Sequence, residues 1–485
     1  MSQIFVTKKN ESLLFVSCDE GTAQELSDYF AFYAVGYQYQ PLYKSGIWDG
    51  KIRLYDRRFS TLPHGLVHYI QKFANDRQYD LVIDDPVLLT TNFSIAEAAE
   101  FAKSLKLPVP PYAHQIESFA KCIRNRRAMI ISPTSSGKSL LIYLVVRFLQ
   151  QSHHKGVIVV PTTSLVEQFY SDLQSYGWDV GQYVHRLYEG QKKITKHYLT
   201  ITTYQSLALH TPEYLAQFDF IIGDEAHQYK AKGLSELVTK LISADVRIGT
   251  TGTLDGTTTN KLVLEGLFGP IYQATTTKQL MNAGIISQLK IKCLILKYPE
   301  EFCQAHRKDD YQEEYIAVMT HPARLKFIRN LAKSVKGNTL ILFQLVEKHG
   351  KLLYQDIKER APDHQVFFVH KDVTAIEREQ IRKIAETNDN IIIVASYGTF
   401  STGINIRNLH NIIFAGPSKG RIRNLQSIGR GLRKADGKEY ATLFDIVDDL
   451  RIGKHENFLL RHFAERVTIY NSEKLTFKPY HVEIT

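Results

Sequence analysis

Short apolar runs separated by longer amphipathic segments recur twice along the chain, and no other feature limits the fold as tightly. From Ala128 to Val246 the runs AMIISP, GVIVVP, LTITTY, FDFIIGDE and VRIGTTG alternate with stretches of helical period. Continuous β-branched runs are what strands buried on both faces require, and such strands belong to parallel sheets flanked by helices. The pattern restarts with KIKCLILKY, TLILF, QVFFVH, NIIIVAS, NIIFAG and YATLFDIV, ending at Val447, with helical segments such as Ala375 to Glu386 between the runs. Two consecutive α/β sheets, each with helices on both faces, are therefore expected. At 485 residues the chain has room for about three cores.

The segment before Ala128 differs, because Tyr29 to Tyr55 is dense in aromatic residues and punctuated by Gly36, Gly46 and Gly50. It predicts a small N-terminal α/β domain over 1–86, closed by the Asp84-Asp85-Pro86 turn. Pro108, Pro110 and Pro111 mark an extended entry into a first lobe over 87–285. A second lobe over 286–450 and a C-terminal helical extension over 451–485 complete the expected organisation. The helix there is placed at Lys454 to Thr468, and the role of the tail beyond it is not legible.

The four cysteines (Cys18, Cys122, Cys293 and Cys303) are far apart and form no C-x-x-C pair, as expected of a reduced intracellular protein. Lys8, Lys9 and Glu11 interrupt any apolar stretch near Met1, and the longest apolar run, Leu140 to Val146, stops at Arg147, too short to span a bilayer. A soluble cytoplasmic protein is expected. Sixty Lys and Arg against 50 Asp and Glu give a formal charge of +10, which favours a polyanionic partner without identifying it.

Ser132-Pro-Thr-Ser-Ser-Gly-Lys-Ser139 lies between the run AMIIS and a helical stretch, the context a phosphate-binding loop needs. Backbone N–H groups of the turn and of the helix start would face the phosphates. Lys138 supplies a cation and Ser139 a hydroxyl for Mg²⁺. Pro133, Thr134, Ser135, Ser136, Gly137, Lys138 and Ser139 are thus the candidate ATP-binding residues, although Ser132 stands where the general pattern has Gly. Downstream, FDFIIGDEAH sets two adjacent carboxylates at the end of another apolar strand. Asp224 would hold Mg²⁺ with Ser139, and Glu225 would orient and deprotonate the attacking water. An acidic pair capping the next helix is the bland alternative.

With Asp224-Glu-Ala-His227 the chain resembles superfamily 2 helicases, and further motifs of that family follow in order. Pro161, Thr162 and Thr163 in PTTSL, with Gln168, resemble a motif that grips the nucleic-acid backbone, and Thr203 in TTYQ resembles a second. Gly249-Thr-Thr-Gly-Thr253 is similar to the motif linking hydrolysis to movement, with Gly252 where many members carry Ala. Ser396, Gly403 and Asn405 resemble the motif touching both backbone and nucleotide. Gln426-Ser-Ile-Gly-Arg430-Gly-Leu-Arg433 is similar to the arginine motif, so the resemblance implies that Arg430 and Arg433 reach the γ-phosphate from a second RecA-like lobe. Tyr112 and Gln115 resemble the adenine-reading element, and a glutamine amide can pair with adenine as donor and acceptor. What the resemblance implies is an ATP hydrolase with two tandem RecA-like parallel-sheet lobes and ATP and Mg²⁺ as cofactors.

GY-x-Y-x-P…G-x-WDG-x-I-R-L-YD together with VASYGTFSTGI narrows the resemblance to the phage UvsW helicases. It implies a 3′ to 5′ motor of recombination, repair and replication control acting on branched DNA and DNA/RNA hybrids: forks, D-loops, R-loops and Holliday junctions. A monomer is expected, although the sequence itself is silent on oligomeric state. The residues alone leave DNA against RNA open. Tyr37, Tyr39, Tyr43, Lys44, Trp48, Lys51, Arg53, Arg57 and Arg58 interleave rings and cations, suiting unpaired bases and phosphates. The same pattern fits a strand with buried aromatics and solvated charges. A duplex translocase that leaves strands paired and a nucleotide-gated binding or annealing protein are the alternatives. His153-His154 is expected in a polar loop, and Tyr311-Gln-Glu-Glu314 on an exposed helical face.

Overall fold

The computed structural model describes residues 3–34, 36–84, 87, 90–152, 154–188, 196–230, 232–254, 258–399, 406–418, 420–434 and 438–484, without the side chains of 230, 232, 258–260, 375, 421–423, 426 and 430. The chain forms two compact units, Met1–Ser132 with Gly137–Ala274, and Thr275–Thr485 with Pro133–Ser136.

The first unit opens with β1 (Gln3–Lys8), β2 (Leu13–Ser17), β3 (Ala31–Tyr33), β4 (Lys51–Arg53), β5 (Thr61–Pro63) and β6 (Asp80–Ile83). Four of them make a mixed sheet in the order β5-β2-β1-β6, while β3 and β4 pair by themselves. Alternation explains the mixed sheet: Ile4, Val6, Leu14 and Val16 point into a core with Leu26, Phe30, Ile70 and Phe73, whereas Phe5 and Phe15 stay exposed.

Next come β7 (Arg127–Ile131), β8 (Gly156–Val160), β9 (Val184–Leu187), β10 (Leu199–Thr203), β11 (Phe220–Gly223), β12 (Val246–Thr251) and β13 (Ile271–Gln273). They form one sheet, β13-β7-β12-β11-β8-β10-β9, with every pairing parallel. Alternate residues feed opposite cores. Ile130, Ile158, Ile201 and Ile222 face one helical layer and Met129, Val157, Val159 and Ile221 the other, which is why these strands read as unbroken apolar runs.

The N-terminal sheet has its own core yet is fused to the first lobe. Arg247, 1% exposed, donates from Nη2 to Ser12 Oγ (2.6 Å), from Nε to Ala244 O (2.9 Å) and from Nη1 to Val238 O (3.1 Å). Arg127 Nη2 donates to Glu11 O and Oε2 at 2.6 and 3.0 Å, and Tyr69 Oη donates to Glu265 Oε2 at 2.8 Å. Burying a guanidinium costs less the more of its donors are paired, so these bonds tie the two sheets into one unit. The N-terminal sheet therefore belongs to the same compact unit as the first lobe.

The second unit begins at Thr275, ahead of the expected residue 286, because Leu280 and Met281 on helix Thr277–Asn282 enter its core. Its sheet contains β14 (Gln288–Lys297), β15 (Thr339–Phe343), β16 (Gln365–Val369), β17 (Ile391–Ser396), β18 (Asn411–Phe414), β19 (Tyr440–Asp449) and β20 (Phe477–Glu483). The order is β16-β17-β15-β18-β19-β14-β20, again parallel throughout.

The C-terminal residues are part of this lobe. Helix Phe458–Ser472 presents Arg466, which donates from Nε to Asp445 Oδ2 on β19 at 2.9 Å, with Tyr470 Oη on the same oxygen at 2.9 Å. The tail beyond the helix is the edge strand β20, where Lys478 and Pro479 suit an edge and conceal a strand from an apolar-run search. The structure also corrects the expectation of an exposed face around Glu314. That carboxylate is buried and accepts from the N–H groups of Phe458 (2.9 Å) and Leu459 (2.8 Å), capping the C-terminal helix. Its partners lie far away in sequence, so local periodicity cannot reveal them.

The four cysteines are free thiols, and among the described residues no helix is long and apolar enough to cross a membrane.

Candidate functional site

Parallel strands deliver their carboxyl ends to one rim, and on the first sheet that rim collects the predicted residues. The loop after β7 carries Pro133, Thr134, Ser135 and Ser136 and leads to helix Lys138–Leu149. Ser135 and Gly137 take the left-handed conformation, φ 70° and 78°. At residue 137 a Cβ would also lie 2.3 Å from Gln115 Nε2, the tip of a side chain, so the left-handed backbone is the stronger reason for glycine. No side chain caps the helix, leaving its first N–H groups for an anion. Lys138 Nζ donates to Ser132 O at 3.1 Å, folding the cation into the loop. Ser139 Oγ shares a hydrogen bond of 2.9 Å with Tyr176 Oη, a partner no motif announces.

Gln115 is buried. Its Oε1 accepts from Tyr112 N at 2.7 Å and its Nε2 donates to Gly137 O at 2.9 Å, linking the start of helix Ala113–Asn125 to the phosphate loop. Tyr112 is exposed, its ring stacked near His114.

Asp224 follows β11 and is buried, its N–H donating to Val159 O at 3.0 Å and its Oδ1 accepting from Thr250 Oγ1 on β12 at 2.7 Å. Burial, then the charge of Glu225, raises its pKa, while the Lys138 ammonium and Thr250 oppose the rise. A buried carboxylate held against ionisation is the kind of oxygen donor a hard cation completes. Asp224 and the Ser139 hydroxyl both offer hard oxygen donors of the kind Mg²⁺ takes. Among the described residues no three His, Cys, Asp or Glu side chains gather as a metal cluster of their own.

Glu225 occupies left-handed backbone at φ 49°, a conformation unfavourable for a glutamate and common where function fixes a side chain. His227 Nδ1 lies 3.3 Å from Glu225 Oε2 and 2.9 Å from Thr251 Oγ1. Thr250 and Thr251 thus join both carboxylates to the Gly249–Thr253 segment. Sequence motifs identify that segment but not these bonds.

The neighbouring strands bring the nucleic-acid candidates to the same rim. Gly223 on β11 is in register with Val159 on β8, and Val160 with Thr203 on β10. After β8, Pro161 is half-buried, Thr162 caps helix Thr163–Ser175 and Thr163 is exposed. Thr203 is buried, its Oγ1 accepting from Ser206 N at 3.3 Å, so its side chain is committed to a cap.

In the second unit Ser396 ends β17, and its Oγ donates to Thr399 Oγ1 at 2.9 Å. Gly403 and Asn405 lie outside the described residues. Arg430 sits on helix Arg421–Gly431, its side chain also outside them, and Arg433 is half-buried just beyond the helix.

Three family models match this chain. They are described as type III restriction enzyme, res subunit, over residues 108–256; DNA helicase UvsW, N-terminal, over 3–84; and helicase conserved C-terminal domain over 323–435. The ATP-dependent DNA helicase uvsW of Enterobacteria phage T4 is 32% identical over 485 residues, spanning 95% of this chain and 96% of that protein. The crystal structure of T4 UvsW matches with a TM-score of 0.54 at 30% identity and covers 100% of both chains. The DNA 3'-5' translocase XPB2 of Sulfurisphaera tokodaii is 24% identical, over 69% of this chain and 80% of its own length. Identity along almost the whole of both chains, N-terminal sheet included, joins the phosphate loop and paired carboxylates in one conclusion: the chain is an ATP-dependent helicase of superfamily 2 and belongs to the UvsW family.

Proposed function

We propose that this helicase is a monomeric DNA motor that unwinds or branch-migrates forks, D-loops, R-loops and Holliday junctions, using ATP with Mg²⁺. The observation that carries the branched substrate is the exposed aromatic and basic face of residues 31–59. Tyr39 is 81% exposed and Phe59 60%, and Tyr33, Tyr43 and Ile47 are exposed as well. Tyr33 and Tyr37 stack at 4.6 Å, with Lys51 Nζ 5.3 Å from the Tyr33 ring centre. Of the two arrangements the sequence allows, rings in solvent beside cations suit a junction, where unpaired bases and phosphates lie side by side. The similarity to a protein named an ATP-dependent DNA helicase supports DNA as the polymer.

In this reading the helix start and Lys138 bind phosphate, and Tyr112 and Gln115 lie by the adenine. Asp224 and Ser139 hold Mg²⁺, which supplies charge neutralisation when bound. Glu225 takes a proton from the attacking water, Arg430 and Arg433 stabilise charge on the γ-phosphate, and Gly403 and Asn405 contribute to nucleotide binding. Pro161, Thr162, Thr163, Thr203 and Ser396 line the nucleic-acid path. His227, Thr250 and Thr251 pass the state of the carboxylates to the Gly249–Thr253 segment.

Replacing Tyr33, Tyr39, Lys51, Arg57 and Arg58 together by alanine is expected to weaken four-way-junction binding about tenfold or more. The slope of log affinity against log salt should fall by about 3, one for each of the three cations, with KM for ATP unchanged. Fluorescence anisotropy over a salt series checks this, and unchanged affinity and slope would remove the N-terminal face from the substrate site. A duplex translocase is the second reading, favoured by the similarity to a protein named a translocase. Strand-displacement and triplex-displacement assays side by side separate the two.

A further inference from the structure

Lys438 is 5% exposed, and its Nζ donates to three backbone carbonyls: Gly431 O at 2.7 Å, Arg433 O at 2.8 Å and Arg407 O at 3.1 Å. Three acceptors saturate an ammonium. Two of them belong to the carboxyl end of helix Arg421–Gly431, where carbonyls lack helical partners and the helix dipole favours a cation. Ser287 N takes the carbonyl between them, Leu432 O, at 2.8 Å. The third belongs to Arg407, two residues beyond Asn405, and Arg407 N donates to Glu386 Oε1 at 2.6 Å. One buried cation therefore ties the end of the arginine helix to the segment that follows Gly403 and Asn405.

We propose that Lys438 is a positioning residue for ATP hydrolysis, holding the end of the helix that carries Arg430, together with the Arg433 backbone, against Arg407. This rests on the proposal above that Arg430 and Arg433 act on the nucleotide. A capping lysine could have stayed in solvent; this one is buried at an energetic cost that the three carbonyls offset. The charged groups acting on it are Glu386, which favours the ammonium, and Arg433, which disfavours it; its own charge in turn disfavours protonation of His410. Burial is the largest influence and lowers its pKa to about 8. The ammonium is thus complete at neutral pH and lost as pH rises through that value, leaving two N–H groups for three carbonyls.

The test is steady-state ATP hydrolysis by the full chain, with and without a four-way DNA junction, between about pH 6.5 and 9.5, for wild type, Lys438→Gln, Lys438→Arg and Arg433→Ala. Lys438→Gln is expected to lose about tenfold or more in kcat with KM for ATP within about twofold. The wild-type kcat should fall along a one-proton limb above about pH 8, and Lys438→Arg, which stays charged, should lack that limb. A wild-type profile flat across the range, a limb that persists in Lys438→Arg, or a Lys438→Gln kcat within about twofold of wild type would each overturn the assignment. The limb and its loss in Lys438→Arg decide the matter even where Lys438→Gln fails to fold. If Arg433→Ala keeps full kcat, the underlying reading of the arginines is what has failed. If Arg433→Ala loses turnover while Lys438→Gln does not, the positioning role alone has failed.

Discussion

Glu225→Gln is expected to lower ATP turnover by about 10²- to 10⁴-fold, the range a positioned general base supplies, with little change in nucleotide affinity. Glutamine keeps the size and the hydrogen-bonding reach toward His227 but cannot take a proton. Lys138 and Asp224 keep their side chains, and loss of the Glu225 charge favours the Asp224 carboxylate, so binding should persist. The left-handed backbone at Glu225 belongs to the loop and not to the charge, and the variant should fold as wild type does. Stopped-flow binding of a fluorescent nucleotide beside steady-state turnover measures both quantities. A kcat within about tenfold of wild type would show that Glu225 is not the base.

Gly65→Val is expected to destabilise the first unit by about 3 kcal/mol or more, lowering its unfolding temperature by roughly 10 °C. A Cβ at residue 65 would lie 1.9 Å from Glu265 O, 2.8 Å from Gly269 N and 2.9 Å from Gly266 O, all of them backbone atoms that cannot swing aside. The contact is where the N-terminal sheet seats on helix Thr258–Phe268, so relief requires the two to part. Thermal unfolding and limited proteolysis would report the loss, and an unchanged transition would show that the N-terminal sheet is only loosely seated. Removal of residues 1–86 carries the same consequence. It would take Ser12 and Glu11 from the buried Arg247 and Arg127, so lost junction binding in that truncation would not by itself locate the substrate face.

What could be read from the sequence follows from the range of the interactions involved. Strands buried on both faces leave a local trace, and β7, β8, β10, β11 and β12 coincide with the apolar runs from AMIISP to VRIGTTG. The Lys138 loop and the Asp224-Glu225 pair stand out as the proposed ATP site because their spacings are short and each follows an apolar strand. Long-range partners leave no such trace. Glu314 as the cap of helix Phe458–Ser472, Arg466 on Asp445, Tyr176 on Ser139 and Lys438 on three carbonyls all depend on distant segments meeting. The edge strand β20 was hidden for another reason: Phe477–Glu483 pairs on one side only and keeps the polar character of an exposed edge. The fusion of the N-terminal sheet was equally hidden, since Arg247 reads as a charge interrupting an apolar strand until its partners are seen.

The most direct test of a nucleic-acid-coupled motor is wild-type ATP hydrolysis measured without nucleic acid, then with single-stranded DNA, duplex DNA and a four-way junction. Low turnover alone and strong stimulation by DNA, greatest with the junction, are expected; turnover indifferent to every DNA would mean that the ATPase is not coupled to DNA.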